Sequence, residues 1–238
     1  MKSRPLSRSG IGGLEEVRKH AKEVVKKTFS IGASTIPGEF IIPRLLSQVA
    51  RSLSDIDLEV DISDSFMTFE KVKAGFLEIG IVGTRYESDE IEYLPAVKQD
   101  RLVVIAPPTH SLATKKVVTF SDLKGQDFIS REAGSGTRDV YEKAFKDAGI
   151  SLGSLNIVVE LADTEQIVRS VGKGVGLSVV SELAAAEPIR RGEVVVMDVP
   201  LLKLTRHFYI ITRKAAPLST EAKRVLTVLR MLMDREGG

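Results

Sequence analysis

The sequence predicts an α/β protein of two lobes, and three observations predict it. Short apolar runs rich in β-branched residues alternate with helical periodicities along nearly the whole chain. Turns bearing hydroxyls and glycines sit where several of those runs end and helical patterns begin. At 238 residues, with 43% hydrophobic side chains and a mean hydropathy near zero, the chain is long enough for two ordinary cores.

The strand-like runs are Phe29 to Ala33, Leu58 to Ile62, Ile79 to Val82, Leu102 to Ala106, Phe128 to Ser130, Ile157 to Glu160, Leu177 to Val180, Val194 to Met197 and Phe208 to Thr212. Between them, Leu45, Leu46, Val49, Ala50 and Leu53 form one apolar helical face. Val140, Tyr141, Ala144, Phe145 and Ala148 form a second, and Val225, Leu226, Leu229 and Leu232 a third. Such β/α alternation predicts parallel sheets covered on both faces. The Pro107-Pro108 pair and the stretch Leu202 to Arg206 are candidate crossovers, so lobe I is expected to be discontinuous, 29–106 with 207–238, and lobe II to span 107–206.

Residues 1–28 form a separate region. Residues 1–13 scatter Ser, Gly and Pro among basic residues, the composition of a flexible lead. Leu14, Val17, Ala21, Val24 and Val25 then fall on one stripe of a helix. Its own body and a second copy of the chain are both open as partners for that stripe. Residues 1–30 hold eight Lys or Arg against three Glu, and the remainder holds 26 basic against 29 acidic residues. A basic arm on a mildly acidic body suits a neighbouring polyanion, and equally suits a solvated helix face.

Composition excludes several classes. No stretch approaches the roughly 18 to 20 apolar residues of a membrane span, and the N-terminus lacks an apolar signal core, so a soluble, cytoplasmic protein is expected. With no cysteine there is neither a disulfide nor a thiolate metal site, and His20, His110 and His207 lie far apart without ligand spacing. No cofactor is expected, although a carboxylate-only metal site stays open. There is no Gly-x-Ser-x-Gly elbow, no His-Glu-x-x-His and no histidine beside a candidate nucleophile, so a binding module is expected rather than an enzyme. Glu132 and Asp163 keep paired-acid chemistry in view.

Two segments carry the binding chemistry. Ser34-Thr35-Ile36-Pro37 joins a strand to a helix: a hydroxyl suited to capping, then proline near the first turn, with Pro43 obliged to start or kink the helical turns beyond it. Gly134-Ser135-Gly136-Thr137-Arg138 also joins a strand to a helix, and combines converging N–H groups, two hydroxyls and a guanidinium fork. It lacks the lysine of a phosphate-binding P-loop. Ser65 and Thr84 place further hydroxyls after strand ends, where either also serves as a turn residue. By contrast, Gly172-Lys173-Gly174-Val175-Gly176 comes after a helix capped at Thr164 and precedes a strand, the reverse of a dinucleotide fingerprint, and reads as a helix C-cap.

In this order the pieces resemble the effector-binding domain of LysR-type transcription regulators from about Leu14 to Arg235. The matching phrases are Ile31-Gly32-Ala33-Ser34-Thr35 with Ile41-Ile42-Pro43-Arg44-Leu45-Leu46, Val72-Lys73-Ala74-Gly75 with Glu78-Ile79-Gly80-Ile81-Val82, Val103-Val104-Ile105-Ala106-Pro107 with His110-Ser111-Leu112-Ala113, Gly134 to Arg138, and Val171 to Leu177. The resemblance implies two Rossmann-like lobes joined by two crossover strands, of the type II periplasmic-binding-protein kind. It makes Leu14 to Lys27 a linker helix that pairs subunits into a homodimer or higher oligomer. It places the effector between the lobes against Ser34, Thr35, Ser65, Thr84, Thr137 and Arg138, and the glycine segment adds Ser135 and Gly136 to the expected site. A hydroxyl-rich lining with one arginine and few aromatics favours a small anionic effector, an inorganic oxyanion or short carboxylate. DNA is a partner only through a helix-turn-helix that this sequence lacks, and no membrane partner is implied. The rival expectation is a free-standing periplasmic-type solute-binding protein, for which the Leu14 to Lys27 helix has no obvious use.

Overall fold

The computed structural model describes residues 26–235, so the stripe from Leu14 to Val25 and the basic lead lie outside the described residues. Each of the nine apolar runs coincides with a strand. The strands are β1 (Lys27–Ser34), β2 (Ile56–Ser63), β3 (Gly80–Val82), β4 (Ile91–Ala106), β5 (Asp127–Arg131), β6 (Asn156–Leu161), β7 (Ser178–Ser181), β8 (Val195–Met197) and β9 (Thr205–Arg213). The helices are α1 (Ile42–Ser52), α2 (Ser65–Lys73), α3 (Phe120–Leu123), α4 (Gly136–Asp147), α5 (Thr164–Gly172), α6 (Glu182–Arg190) and α7 (Thr220–Arg235).

In lobe I, β1 runs parallel to β2 and β3, with Ile31 beside Val60 and Gly32 beside Gly80. Here the sheet stops being parallel. β3 meets β9 antiparallel, and β9 meets the first half of β4 antiparallel. The sheet is therefore mixed, which corrects the wholly parallel expectation: the returning strands run against the β/α units they close.

β4 passes between the lobes. Ile91 to Ala96 pairs with β9 in lobe I, the register then shifts between Ala96 and Gln99, and Leu102 to Ala106 pairs with β7 and β8 in lobe II. The change of partner falls near residue 100, not at Pro107-Pro108, because Leu102 to Ala106 find their neighbours in the second sheet. β9 is the other crossing strand, with Thr205 to His207 opposite Arg101 to Gln99. In lobe II, β5 and β6 are parallel, and a bridge from Phe128 to Leu177 joins them to β7.

Helices cover both faces of each lobe. In lobe I, α7 buries Ala222, Val225, Leu229 and Leu232 at helical spacing against Ile31, Phe208 and Ile210, while Phe69 and Val72 of α2 cover the opposite face with Ile211. In lobe II, Tyr141 and Phe145 of α4 meet Phe128 and Val179, and Ile167, Val168 and Val171 of α5 meet Val103 and Ile129. Each large side chain so buried contributes about 1.5 to 3 kcal/mol relative to exposure. No helix among the described residues is long and apolar enough to cross a membrane.

Proline shapes the entry to α1. The segment Pro37–Ile41 is a π-turn, with the Ile42 N–H bonded to the Pro37 carbonyl. Pro43 supplies no N–H to a ladder, and the widened turn precedes it directly, so the proline sits in the first turn of the α-helix.

Candidate functional site

Parallel strands end where their helices begin, and in both lobes those ends face the gap spanned by β4 and β9. Ser34 closes β1 and Thr35 opens the adjoining helix; Asp64 caps α2 at Ser65; Ser135 precedes α4 at Gly136. Ser34, Thr35, Ile36, Asp64, Ser65, Arg131, Ser135, Gly136, Thr137 and Arg206 line one cavity there. Its volume is about 10 Å³, on the scale of one ordered water, so the lobes are closed on each other.

The closure is tight because residue 136 has no side chain. A Cβ on Gly136 would lie 2.5 Å from the Ser65 hydroxyl oxygen. Beside it the Phe66 N–H donates to the Gly134 carbonyl at 3.2 Å, and the Tyr86 hydroxyl donates to Asp139 at 3.1 Å. Each of these contacts runs from lobe I to lobe II. Asp139 is half-buried, and desolvation holds its carboxyl above the ordinary range against the Tyr86 hydrogen bond, which favours the charged form.

Two buried arginines flank the cavity. Arg206 on β9 donates from Nε to Asp100 Oδ2 at 2.8 Å and from Nη1 to the Thr137 hydroxyl at 3.1 Å. Asp100, opposite it on β4, also accepts from the Ser181 hydroxyl at 2.7 Å. Burial pulls the Arg206 guanidinium below its ordinary pKa, the Asp100 carboxylate pulls it back, and the Arg131 charge adds to the lowering. It remains a cation, since guanidinium does not deprotonate in proteins. Arg131 at the end of β5 is held by both oxygens of Glu132, at 2.7 and 2.8 Å, and by the Thr164 hydroxyl at 3.0 Å.

Among the described residues, two buried side-chain polar atoms have no hydrogen-bond partner, Ser135 Oγ and Arg206 Nη2. Both belong to residues of this cavity. Arg206 Nη2 does lie 2.7 Å from Asp100 Oδ2, but at an angle that makes an ion pair without a hydrogen bond. At the start of α4 the first intrahelical bond is made by Asp139 N–H to the Ser135 carbonyl, so the preceding N–H groups of the helix have no partner within it. The arrangement is a set of donors converging on one small space.

The structure thus brings Ser34, Thr35, Ser65, Ser135, Gly136 and Thr137 together, and sets Thr84 beside them, its methyl 3.5 Å from where a Gly136 Cβ would stand. Arg138 goes elsewhere. Its guanidinium binds Glu142, Glu160 and the Arg131 carbonyl, because the third residue of α4 points away from the cavity, toward those acids. Asp64, Arg131 and Arg206 take their places in the lining without having been singled out in the sequence. A charged residue directly after the buried pair Ile129-Ser130 was a local signal for Arg131, whereas nothing near Arg206 points to Asp100. The cap of α5 is Asp163, which accepts from the Gln166 N–H at 2.9 Å, and this frees the Thr164 hydroxyl for Arg131.

The sequence profile described as the LysR substrate binding domain matches residues 22–234, and the chain belongs to that family. It is 36% identical over 181 residues to the uncharacterized HTH-type transcriptional regulator MJ0300 of Methanocaldococcus jannaschii, covering 76% of this chain and 60% of that protein. It is 30% identical over 203 residues to a phosphonates import ATP-binding protein PhnC of Anaeromyxobacter dehalogenans, covering 85% of this chain and 40% of that one. The chain therefore spans less than two thirds of the length of these curated relatives. Its fold matches the CcmR regulatory domain of Synechocystis PCC6803 in complex with 2-PG, with a TM-score of 0.78 and 24% identity, over 87% of this chain and 98% of that one. This is an effector-binding domain of the type II periplasmic-binding-protein architecture.

Proposed function

We propose that this domain senses a small anionic effector for a transcription regulator acting in the cytoplasm, and that the effector sits in the cavity between Ser34-Thr35 and the start of α4. The observation that carries this reading is the buried Ser135 Oγ, without a hydrogen-bond partner among the described residues, beside Arg206 Nη2, which makes only an ion pair with Asp100, in one cavity rimmed by helix N-termini. A buried hydroxyl without a partner costs free energy, and a bound oxyanion accepting from it would offset that cost. Thr35, Ser65 and Thr137 add hydroxyls, and opening of the lobes admits the ligand.

Screening sulfate, phosphate, thiosulfate, nitrate and short carboxylates at constant ionic strength tests the reading. An effector at about a hundredfold excess over its dissociation constant stabilises by about 2.7 kcal/mol, a melting shift on the order of 5 to 10 °C for a chain of this size. Thr35→Val and Thr137→Val should each abolish that shift; a shift that persists in both variants contradicts the site.

The stripe Leu14, Val17, Ala21 and Val24 supports pairing of two chains, and light scattering should show at least a dimer that deletion of residues 1–28 weakens. A monomer at micromolar concentration overturns that part.

A further inference from the structure

Asp64 places a carboxylate among these donors. As the cap of α2 it accepts the Met67 N–H on Oδ1 at 2.7 Å, and among the described residues no hydrogen bond reaches Oδ2. Across the closed cleft, Oδ1 stands 2.9 Å from where a Cβ on Gly134 would be, so the carboxylate abuts the backbone of lobe II. The two arginines of the lining do not leave free positive charge to offset it, because Asp100 neutralises Arg206 and Glu132 neutralises Arg131. Counted with these partners, the surroundings of the cavity carry one more negative than positive charge.

An anion without hydrogen, enclosed here, would meet Asp64 only as a like charge. An anion that carries an O–H would donate to the free oxygen of Asp64 while its own oxygens accept from Ser135, Thr137 and Arg206. We infer that the cavity selects oxyanions bearing a hydroxyl, with Asp64 as the acceptor that excludes isosteric anions lacking one. The inference rests on the anion reading above and goes further, since it assigns the ligand's chemistry and the residue that reads it. Discrimination of this kind works by a repulsive element against the wrong ligand as much as by an attraction to the right one.

Calorimetric titration of the full chain with two pairs of equal charge tests it: bicarbonate against nitrate, both planar monoanions, and glycolate against acetate. The hydroxyl-bearing member of at least one pair should bind about tenfold or more tighter. Asp64→Asn keeps a side chain that caps α2 equally well, so the unliganded melting point should hold while the preference collapses through tighter binding of nitrate or acetate. Equal binding within both pairs by the unaltered chain, or a preference that survives Asp64→Asn, overturns the inference and leaves the anion site standing. Failure of all four anions to bind, or binding indifferent to Thr137→Val, overturns the site itself and this inference with it.

Discussion

At the scale of single residues, Ser135 separates stability from function. The residue is 1% exposed, and its hydroxyl caps nothing and has no partner among the described residues. Replacement by alanine removes an unpaired buried group, so Ser135→Ala should raise the unliganded stability by about 1 to 3 kcal/mol while reducing the ligand-induced melting shift. Thermal melts with and without the effector read both effects, and a loss of unliganded stability would show that the hydroxyl already has a structural partner. Arg138 teaches the opposite lesson. In the sequence it completes an anion-binding phrase with Ser135 and Thr137, yet its charge is consumed by Glu142 and Glu160. The hydroxyls of Ser34, Thr35, Ser65, Ser135 and Thr137, singled out by residue type and position, line one cavity, and the direction of a long side chain was decided by acids on its own helix and on β6.

At the scale of elements, the glycine segment after α5 shows two different demands. Gly174 has φ of +83° and ends the helix by donating to Val171, while Val175 donates to Ser170, the paired bonds of a Schellman end. Among the described residues nothing lies within 4 Å of a Cβ there, so Gly174→Ala should cost about 1 kcal/mol through backbone strain alone. A Cβ on Gly176, by contrast, would stand 2.6 Å from the Asp127 carbonyl oxygen, at the place where Leu177 exchanges hydrogen bonds with Asp127 and Ile129. Gly176→Ala should cost about 1 to 3 kcal/mol by forcing β5 away. Hydrogen exchange should quicken at the Leu177 and Ile129 amides in Gly176→Ala and not in Gly174→Ala; identical exchange in both variants would refute the distinction. The helix end was legible from the glycines, whereas the contact at Gly176 depends on a strand some fifty positions earlier in the chain.

At the scale of the whole molecule, closure of the lobes is linked to pH. Asp139 faces Tyr86, Glu142, Arg138 and Asp64, and its carboxyl pKa is raised in the closed form, chiefly by burial. A raised folded pKa means that the contribution to stability is fully present below the unfolded value and is lost as pH rises through the folded one. Closure should therefore strengthen in mild acid. The Tyr86 hydroxyl opposes this by stabilising the charged carboxylate, so Tyr86→Phe should cost about 1 kcal/mol near neutrality, discounted for partial exposure, and less as the carboxyl protonates. Melting curves across the carboxyl range check it: a loss that grows toward acid would reverse the sign and sink the account.

The sequence by itself determined the elements and the family. Nine apolar runs became nine strands, because burial and β-branching act on each segment locally, and the hydroxyls of Ser34, Thr35, Ser65, Ser135 and Thr137 were readable because strand-to-helix turns demand such residues wherever they occur. Some elements escaped even so. The first half of β4 carries Pro95 and lacks a β-branched apolar run, and α2 and α6 lack a clean apolar stripe, so their identity came from the neighbours that cover them. Only the tertiary structure decided that β4 changes sheets near residue 100, that Asp100 meets Arg206 across 106 positions, and that Asp64 stands beside the same cavity. Those facts depend on which strands meet and in what register, and a charge pair buried between two crossing strands leaves no periodic trace in either segment.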